Sequence, residues 1–477
     1  MKKTIRLKKF KVQLLFTFLA VFLMTACSSN ETVDIEDVEE YAEITDEVET
    51  GAHGLPLIHL TEEARDIVLE DFDYLAYEIL QNAATRGVFY RRFEITLEEY
   101  LEILREHIED MEPVQTVATI LLGEHWEEMP TDDPLYLAAE YLTSLLFWAL
   151  TIDTGNLGHF GPQIRELYIE MFHGNSVIFD DPERAEFTGD IRNTERLLSY
   201  FNEPATLRLY NVDPSEFDLT LDLSDMGLEI ENNVTTQIIE ADRIAYVSIE
   251  SFVNSPSFDN EILFPFFEEV QDFEHLIIDI RGNGGGWPHY VTDSIVGMLI
   301  EESLEFRFVE AFAGGERALR TLEYTLLENI LGATSEDMMP IRGFMEENEL
   351  IYFNDDDLEF LQYVSSFHLL IEPDENSIPF AGEIWLLIDG SSGSASEFLA
   401  LLSIYSGFAT VVGEPSAGVT GVATTFVSLP NTGVLFRIDT SSLLDAQGRS
   451  VEEHGVIPDI IIDSGSCALE TVLDLIQ

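Results

Sequence analysis

Two short stretches hold residue types that could make and break bonds. Asp389-Gly390-Ser391-Ser392-Gly393-Ser394-Ala395-Ser396-Glu397 sets four hydroxyls between an apolar run at 383–388 and a helical pattern at 396–403. A hydroxyl on a strand-to-helix turn stands on a rigid corner beside a helix N-terminus, where a nucleophile gains electrostatic support. The same serines also suit a plain N-cap, the role serine favours at a helix start. Asp279-Ile280-Arg281-Gly282-Asn283-Gly284-Gly285-Gly286 follows a second apolar run at 276–280. Its glycines allow a sharp turn that brings N–H groups close to a ligand. A tight structural turn is the plainer reading, and neither phosphate-loop pattern, G-x-x-x-x-G-K-S/T or G-x-G-x-x-G, is present. Metal chemistry finds no support: the chain has no His-Glu-x-x-His and no Cys/His cluster at ligand spacing, and Asn354–Asp357 lacks the calcium-loop pattern. No metal and no cofactor are expected.

The elements that must position these stretches follow from periodicity. Residues 57–150 carry apolar side chains at three- and four-residue steps, with cap signatures at Leu60-Thr61-Glu62-Glu63 and Thr96-Leu97-Glu98-Glu99. This predicts an N-terminal, mainly helical domain over 55–200. Residues 205–210, 219–223 and 243–249 read as strands, with β-branched and aromatic residues between polar turns. The runs at 276–280 and 383–388 have the continuous apolar character of strands buried on both faces. Residues 290–300 look helical. Alternating buried strands and helices predict an α/β core over 201–477, with 301–375 as an insertion or lid.

Composition narrows the function classes. The 477 residues include 90 acids against 24 Lys and Arg, a net charge of −66. Nucleic-acid binding needs a positive surface that releases counterions, so that class is excluded. All five lysines lie in the first eleven positions, and every later cation is an arginine. Residues 1–26 join that basic stretch to an apolar run ending in Met24-Thr25-Ala26-Cys27, the pattern of a secretory signal peptide. Small residues followed by Cys resemble the lipobox of bacterial lipoproteins, which implies cleavage before Cys27 and acylation of its thiol. Removing 1–26 leaves 18 arginines and no lysine, which rules out any mechanism needing a lysine in the mature chain. Residues 27–54 are rich in acids and poor in large apolar groups, the composition of a disordered tether. The expected location is the outer face of the cell membrane, through a lipid anchor at Cys27. With Cys27 acylated, Cys467 has no partner for an intramolecular disulfide.

Four motifs in order, 276–286, 384–397, 411–418 (Val-Val-Gly-Glu-Pro-Ser-Ala-Gly) and 455–459 (Gly-Val-Ile-Pro-Asp), resemble the tail-specific, or C-terminal processing, serine peptidases. That family includes the tricorn protease core. The resemblance covers roughly 245–462, with a weaker match back to His159. It implies a ClpP/crotonase-like α/β core preceded by the helical domain, and a peptide or protein substrate. A convincing PDZ-type carboxylate-binding loop is missing from 161–240, so no clear PDZ domain is expected.

The family pattern Ser-x-Ser-Ala-Ser-Glu makes Ser394 the nucleophile, with Ser392 and Ser396 as fallbacks. The best-known members pair this serine with a lysine after Gly-x-x-x-x-Gly, but here Gly413–Gly418 is followed by Val419. The tricorn-like branch uses instead a His upstream of the core and a Glu shortly before Gly-Val-x-Pro-Asp. The resemblance therefore implies His159 as general base and Glu452 in support, with His454 as a competing base. The branch's serine before the His is Gly158 here, and Asn156 or Ser416 could fill that place. Backbone N–H groups of Ala395 and of Gly284 or Gly285, Gly285 being favoured, would form the oxyanion hole. The competing reading is a family member that binds peptide or lipid at the envelope without cleaving it, since fold alone does not fix function.

Overall fold

The structure, a computed structural model, describes residues 50–51, 53–123, 126, 129–130, 132–154, 160–163, 203–211, 230–320, 333–335, 339–348, 350–419, 423–463 and 466–477. The signal segment, Cys27 and most of the acidic tether, Asn156, Gly158 and His159, the strand expected at 219–223 and most of 161–240 lie outside these residues.

Helices α1 (Glu62–Asn82), α2 (Arg86–Phe93), α3 (Leu97–Glu109) and α4 (Pro134–Leu146) form the N-terminal part. α1 buries Ala64, Val68, Phe72, Leu75 and Ile79, one face of a 3.6-residue repeat. Thr61 caps it by accepting the Ala64 N–H at 3.2 Å. Thr96 and Glu99 close a reciprocal capping box at the start of α3. Short strands β1 (Leu57–Ile58) and β2 (Val114–Gln115) pair antiparallel beside the helices. Residues Pro134–Ile152, α4 and its π-helical continuation, are apolar and long enough to cross a membrane. With 67% of its apolar window buried inside the protein, this segment sits as a core helix.

The core of this part recruits chain from far away. The hairpin of β13 (Thr424–Ser428) and β14 (Leu435–Asp439) sends Phe426, Val427, Leu435, Phe436 and Ile438 into the helical core. β3 (Gly161–Pro162) adds a third strand, with Arg437 opposite Gly161. Asp71 of α1, fully buried, accepts four hydrogen bonds from Asn431 and Thr432 at the hairpin tip. Residues 205–210, expected as a strand, are helical over Pro204–Leu209. Pro204 at the first helical position has a preset φ and lacks an N–H that would be unpaired there anyway. Leu209 and Tyr210 pack into the helical core.

The second core surrounds a six-stranded sheet of order β16-β12-β11-β6-β5-β4. These strands are β16 (Ile460–Ile461), β12 (Thr410–Gly413), β11 (Glu383–Ile388), β6 (His275–Asp279), β5 (Ile244–Ile249) and β4 (Val234–Glu240). All neighbours are parallel except the edge strand β4. Helix α5 (Pro256–Val270) lies between β5 and β6, and α6 (Ala395–Ser406) between β11 and β12, while α7 (Val451–His454) and α8 (Ala468–Leu475) flank β16. Covered on both faces, β6 and β11 bury nearly every residue, which is why they read as unbroken apolar runs.

In 301–375, where sequence suggested an insertion or lid, the described residues form a second wall of the core. β7 (Leu304–Ala313) and β10 (Leu361–Ile371) pair antiparallel along their whole length. They are joined by β15 (Ser441–Leu444), β8 (Ala333–Ser335) and β9 (Met339–Pro340). β7 buries Phe306 and Phe308: the Phe306 ring lies 5.8 Å from Phe398 of α6, and the Phe308 ring stacks on Phe367 of β10 at 5.0 Å. Aromatic residues at two-residue spacing are a strand signal, diluted here by the charged residues Glu305, Arg307 and Glu310.

Candidate active site

Ligand sites in parallel α/β sheets gather at the carboxyl ends of the strands. Here β6, β11 and β12 are neighbours, and each ends in one of the glycine- or serine-bearing loops: 281–286, 389–394 and 414–419. Strand pairing therefore brings together stretches more than a hundred residues apart in sequence.

Ser394 sits where the β11 loop enters α6. Its backbone has φ +51° and ψ −117°, outside the regions normal for a residue with a side chain. Such a conformation costs on the order of 1–3 kcal/mol and persists only where surrounding bonds hold it. The Ser394 N–H donates to the Val419 carbonyl at 2.8 Å and to Glu397 Oε2 at 3.1 Å. The residue is half-buried. The neighbouring serines differ. Ser392 is buried and donates to the Ile280 carbonyl at 2.9 Å. Ser396 is fully buried, with its hydroxyl inside the core. Of the three, only Ser394 is not buried.

The glycine loop lies against this turn. A methyl group on Gly285, which has φ +103°, would come within 2.7 Å of Ser394 Cβ and 2.8 Å of the Ala395 nitrogen. The Gly285 N–H is turned away, donating to Asn283 Oδ1 at 2.8 Å. The donor favoured from sequence is thus occupied in an Asx-type turn. The N–H groups of Ala395 and Gly284 have no acceptor among the described residues.

Of the adjacent acids in α7, Glu452 faces inward and Glu453 outward. Glu452 is fully buried and accepts from Ser442 Oγ at 2.6 Å, Ser450 Oγ at 2.9 Å and the Leu443 N–H at 3.0 Å. Glu453 pairs with Arg91 of α2, which also clasps Asp357 at 2.9 Å. Arg92 donates to the carbonyls of Thr154 and Glu452, each at 3.2 Å. It thereby ties α7 to the chain that leads into residues 155–159. On the far side of those residues, the Phe160 ring packs 5.2 Å from Phe436. His159 lies outside the described residues, and His454 is exposed. The Ser416 hydroxyl donates to Glu397 at 2.5 Å and accepts the Val456 N–H at 2.6 Å.

From sequence, Glu397 stands out only as the end of the Ser-x-Ser-Ala-Ser-Glu motif. It is fully buried, and burial pushes its carboxyl up to about 7, with the nearby Glu452 carboxylate acting the same way and its hydrogen bonds opposing. The signal that could have found it is Ser394-x-x-Glu397, a capping-box spacing directly on the reactive turn.

Residues 243–462 match the model of peptidase family S41. No curated protein matches the sequence. Among solved structures, a putative peptidase from Parabacteroides merdae is similar at 18% identity, covering 51% of this chain and 64% of its own, with a TM-score of 0.35. Mature CPAF complexed with lactacystin is similar at 14% identity, 83% of this chain and 94% of that one, TM-score 0.43. A lipoprotein from Streptococcus agalactiae is similar at 11% identity, 87% and 97%, TM-score 0.40. The chain spans less than two thirds of the Parabacteroides protein. The stretch that matches the peptidase family S41 model, residues 243–462, holds the parallel strands of the sheet and all three of the site loops.

Proposed function

We propose that the protein is a serine peptidase that works outside the cytoplasm, with a ClpP/crotonase-like core and Ser394 as nucleophile. The observation that carries this reading is the Ser394 turn: a left-handed, non-glycine corner at the carboxyl edge of the sheet, with a half-buried serine followed by an Ala395 N–H that has no acceptor among the described residues. In the reaction, His159 takes the proton from Ser394 Oγ as the oxygen attacks a peptide carbonyl carbon. The carbonyl oxygen becomes an oxyanion held by the Ala395 N–H and one from the 284–285 turn. His159 then protonates the leaving amine, the C–N bond breaks, and water repeats the sequence on the acyl-enzyme. Glu452 supports the site from its buried position, through a contact that the serine-to-glycine change at 158 leaves to other groups. Substrates are peptides or proteins, and the lipid-modified Cys27 tethers the enzyme to the membrane.

The test is reaction of the 28–477 chain with a fluorophosphonate probe, read by intact mass beside Ser394→Ala and His159→Ala. One adduct on the wild type and none on either variant is the expected result. A folded wild type that takes no adduct would overturn the peptidase reading and leave an envelope peptide- or lipid-binding protein. Anchoring is read separately, by fatty-acid labelling of the full chain and its loss in Cys27→Ala.

A further inference from the structure

Glu397 is a buried acid that the acyl-transfer chemistry above leaves without a task. Four donors converge on its two oxygens. Oε1 accepts from Ser416 Oγ at 2.5 Å and the Gly418 N–H at 2.6 Å. Oε2 accepts from the Val419 N–H at 2.8 Å and the Ser394 N–H at 3.1 Å. No arginine or histidine among the described residues pairs with it, so its charge is held by three peptide dipoles and one hydroxyl. Two oxygens offer about four acceptor positions, and all are taken. A proton can enter only by displacing a donor, and the longest bond is the one to Ser394.

The same carboxylate joins the serine turn to the 416–419 loop. The 416–419 loop is fastened to the serine loop by the Ala417 N–H to Ser392 carbonyl bond at 2.9 Å. The Ser394 N–H to Val419 carbonyl bond, at 2.8 Å, is a second tie. Ser416 reaches on to Val456, just beyond the helix carrying Glu452. Removing the negative charge therefore loosens the nucleophile's turn and the loop opposite it together.

We propose that Glu397 is a positioning residue for Ser394, whose ionised carboxylate holds the strained serine turn and the 416–419 loop in reactive register. The proposal rests on the peptidase reading for its kinetic consequence and on the geometry alone for the positioning itself. The charged group that faces Glu397 from a neighbouring element is Glu452, on α7. Protonation of Glu397 near neutral pH would then release the turn, so nucleophile reactivity rises with pH as Glu397 ionises.

The experiment measures fluorophosphonate labelling rates from about pH 5 to 9 for the wild type, Glu397→Gln and Ser416→Ala, with amide hydrogen exchange over 392–419 on the same proteins. Glu397→Gln is expected to label at least about tenfold more slowly above pH 8, while exchange quickens at 394–397 and 416–419. Ser416→Ala removes one donor from the carboxylate, so the midpoint of the pH rise moves upward while the high-pH plateau stays within about threefold of wild type. That shift follows from the loss of the Ser416 Oγ donor on Glu397 Oε1. Glu397→Gln labelling within about twofold of wild type at every pH, or an unmoved midpoint in Ser416→Ala, overturns the proposal. If the wild type takes no adduct, the peptidase reading has failed, and exchange alone decides. Quickened exchange in the variants keeps the positioning role, and unchanged exchange removes it. Should Glu397→Gln fail to fold, Ser416→Ala carries both readouts.

Discussion

Replacing Gly285 by alanine tests the contact between the glycine loop and the nucleophile's turn. Its φ of +103° is closed to side chains, which costs on the order of 1–3 kcal/mol. The new methyl would stand 2.7 Å from Ser394 Cβ and from the Gly393 carbonyl oxygen. Ordinary carbon–carbon contact is about 3.5–4 Å, so one side must give by roughly an ångström. Forced repacking of this kind adds about 1–3 kcal/mol. The natural control is Gly282→Ala in the same loop: φ is +81°, but nothing lies within 4 Å of the added carbon. That variant should carry the backbone strain alone. Urea denaturation should therefore place Gly285→Ala about 1–3 kcal/mol below Gly282→Ala. An ångström of displacement at a reacting group can lower rate about a hundredfold. Fluorophosphonate labelling of Gly285→Ala should fall by about that factor relative to Gly282→Ala. Equal labelling of the two alanine variants would refute the reasoning, because the contact at Ser394 would then have no consequence.

Three further outcomes follow from the same geometry. Glu452→Gln puts an amide against Ser442, Ser450 and the Leu443 N–H. It should lose about 1–3 kcal/mol in urea melts and label at least about tenfold more slowly; normal labelling would remove Glu452 from the machinery. Arg91→Met strands the largely buried Asp357 without its guanidinium. It should cost about 2–3 kcal/mol, lessened from the fully buried case by the partial exposure of Arg91, and a shift below 0.5 kcal/mol would count against the clasp. Glu397 gives stability a definite sign with pH. Its carboxyl is raised from an ordinary 4.5 to about 7, so between these values the folded state holds a proton that the unfolded state has lost. The stability it contributes is complete below pH 4.5, falls as pH rises to about 7 and is flat beyond. Thermal melts of the wild type minus Glu397→Gln should show that decline, and a difference that grows with pH would invert the assignment.

What the sequence determined by itself was local. Strands β6 and β11 were legible because a strand covered on both faces must be apolar throughout. The caps at Thr61 and Thr96 were legible because a helix start needs a side-chain acceptor. The reactive loops showed through their glycines and serines. What only the tertiary structure decided is nonlocal. Ser392, Ser394 and Ser396 are the same residue type in one short run, and packing separates them: Ser392 is buried and tied to Ile280, Ser396 is buried in the core, and Ser394 stays half-buried at the turn. Glu452 and Glu453 are identical neighbours, and α7 turns one against β15 and the other toward Arg91. Asp71 reads as one more acid on a helix in an acidic chain, yet it is buried under a hairpin 360 residues later. The hairpin itself, and β7 and β10, reveal their places only when packed. Periodicity reports which face of an element is apolar, and it carries no information about which distant element will cover that face.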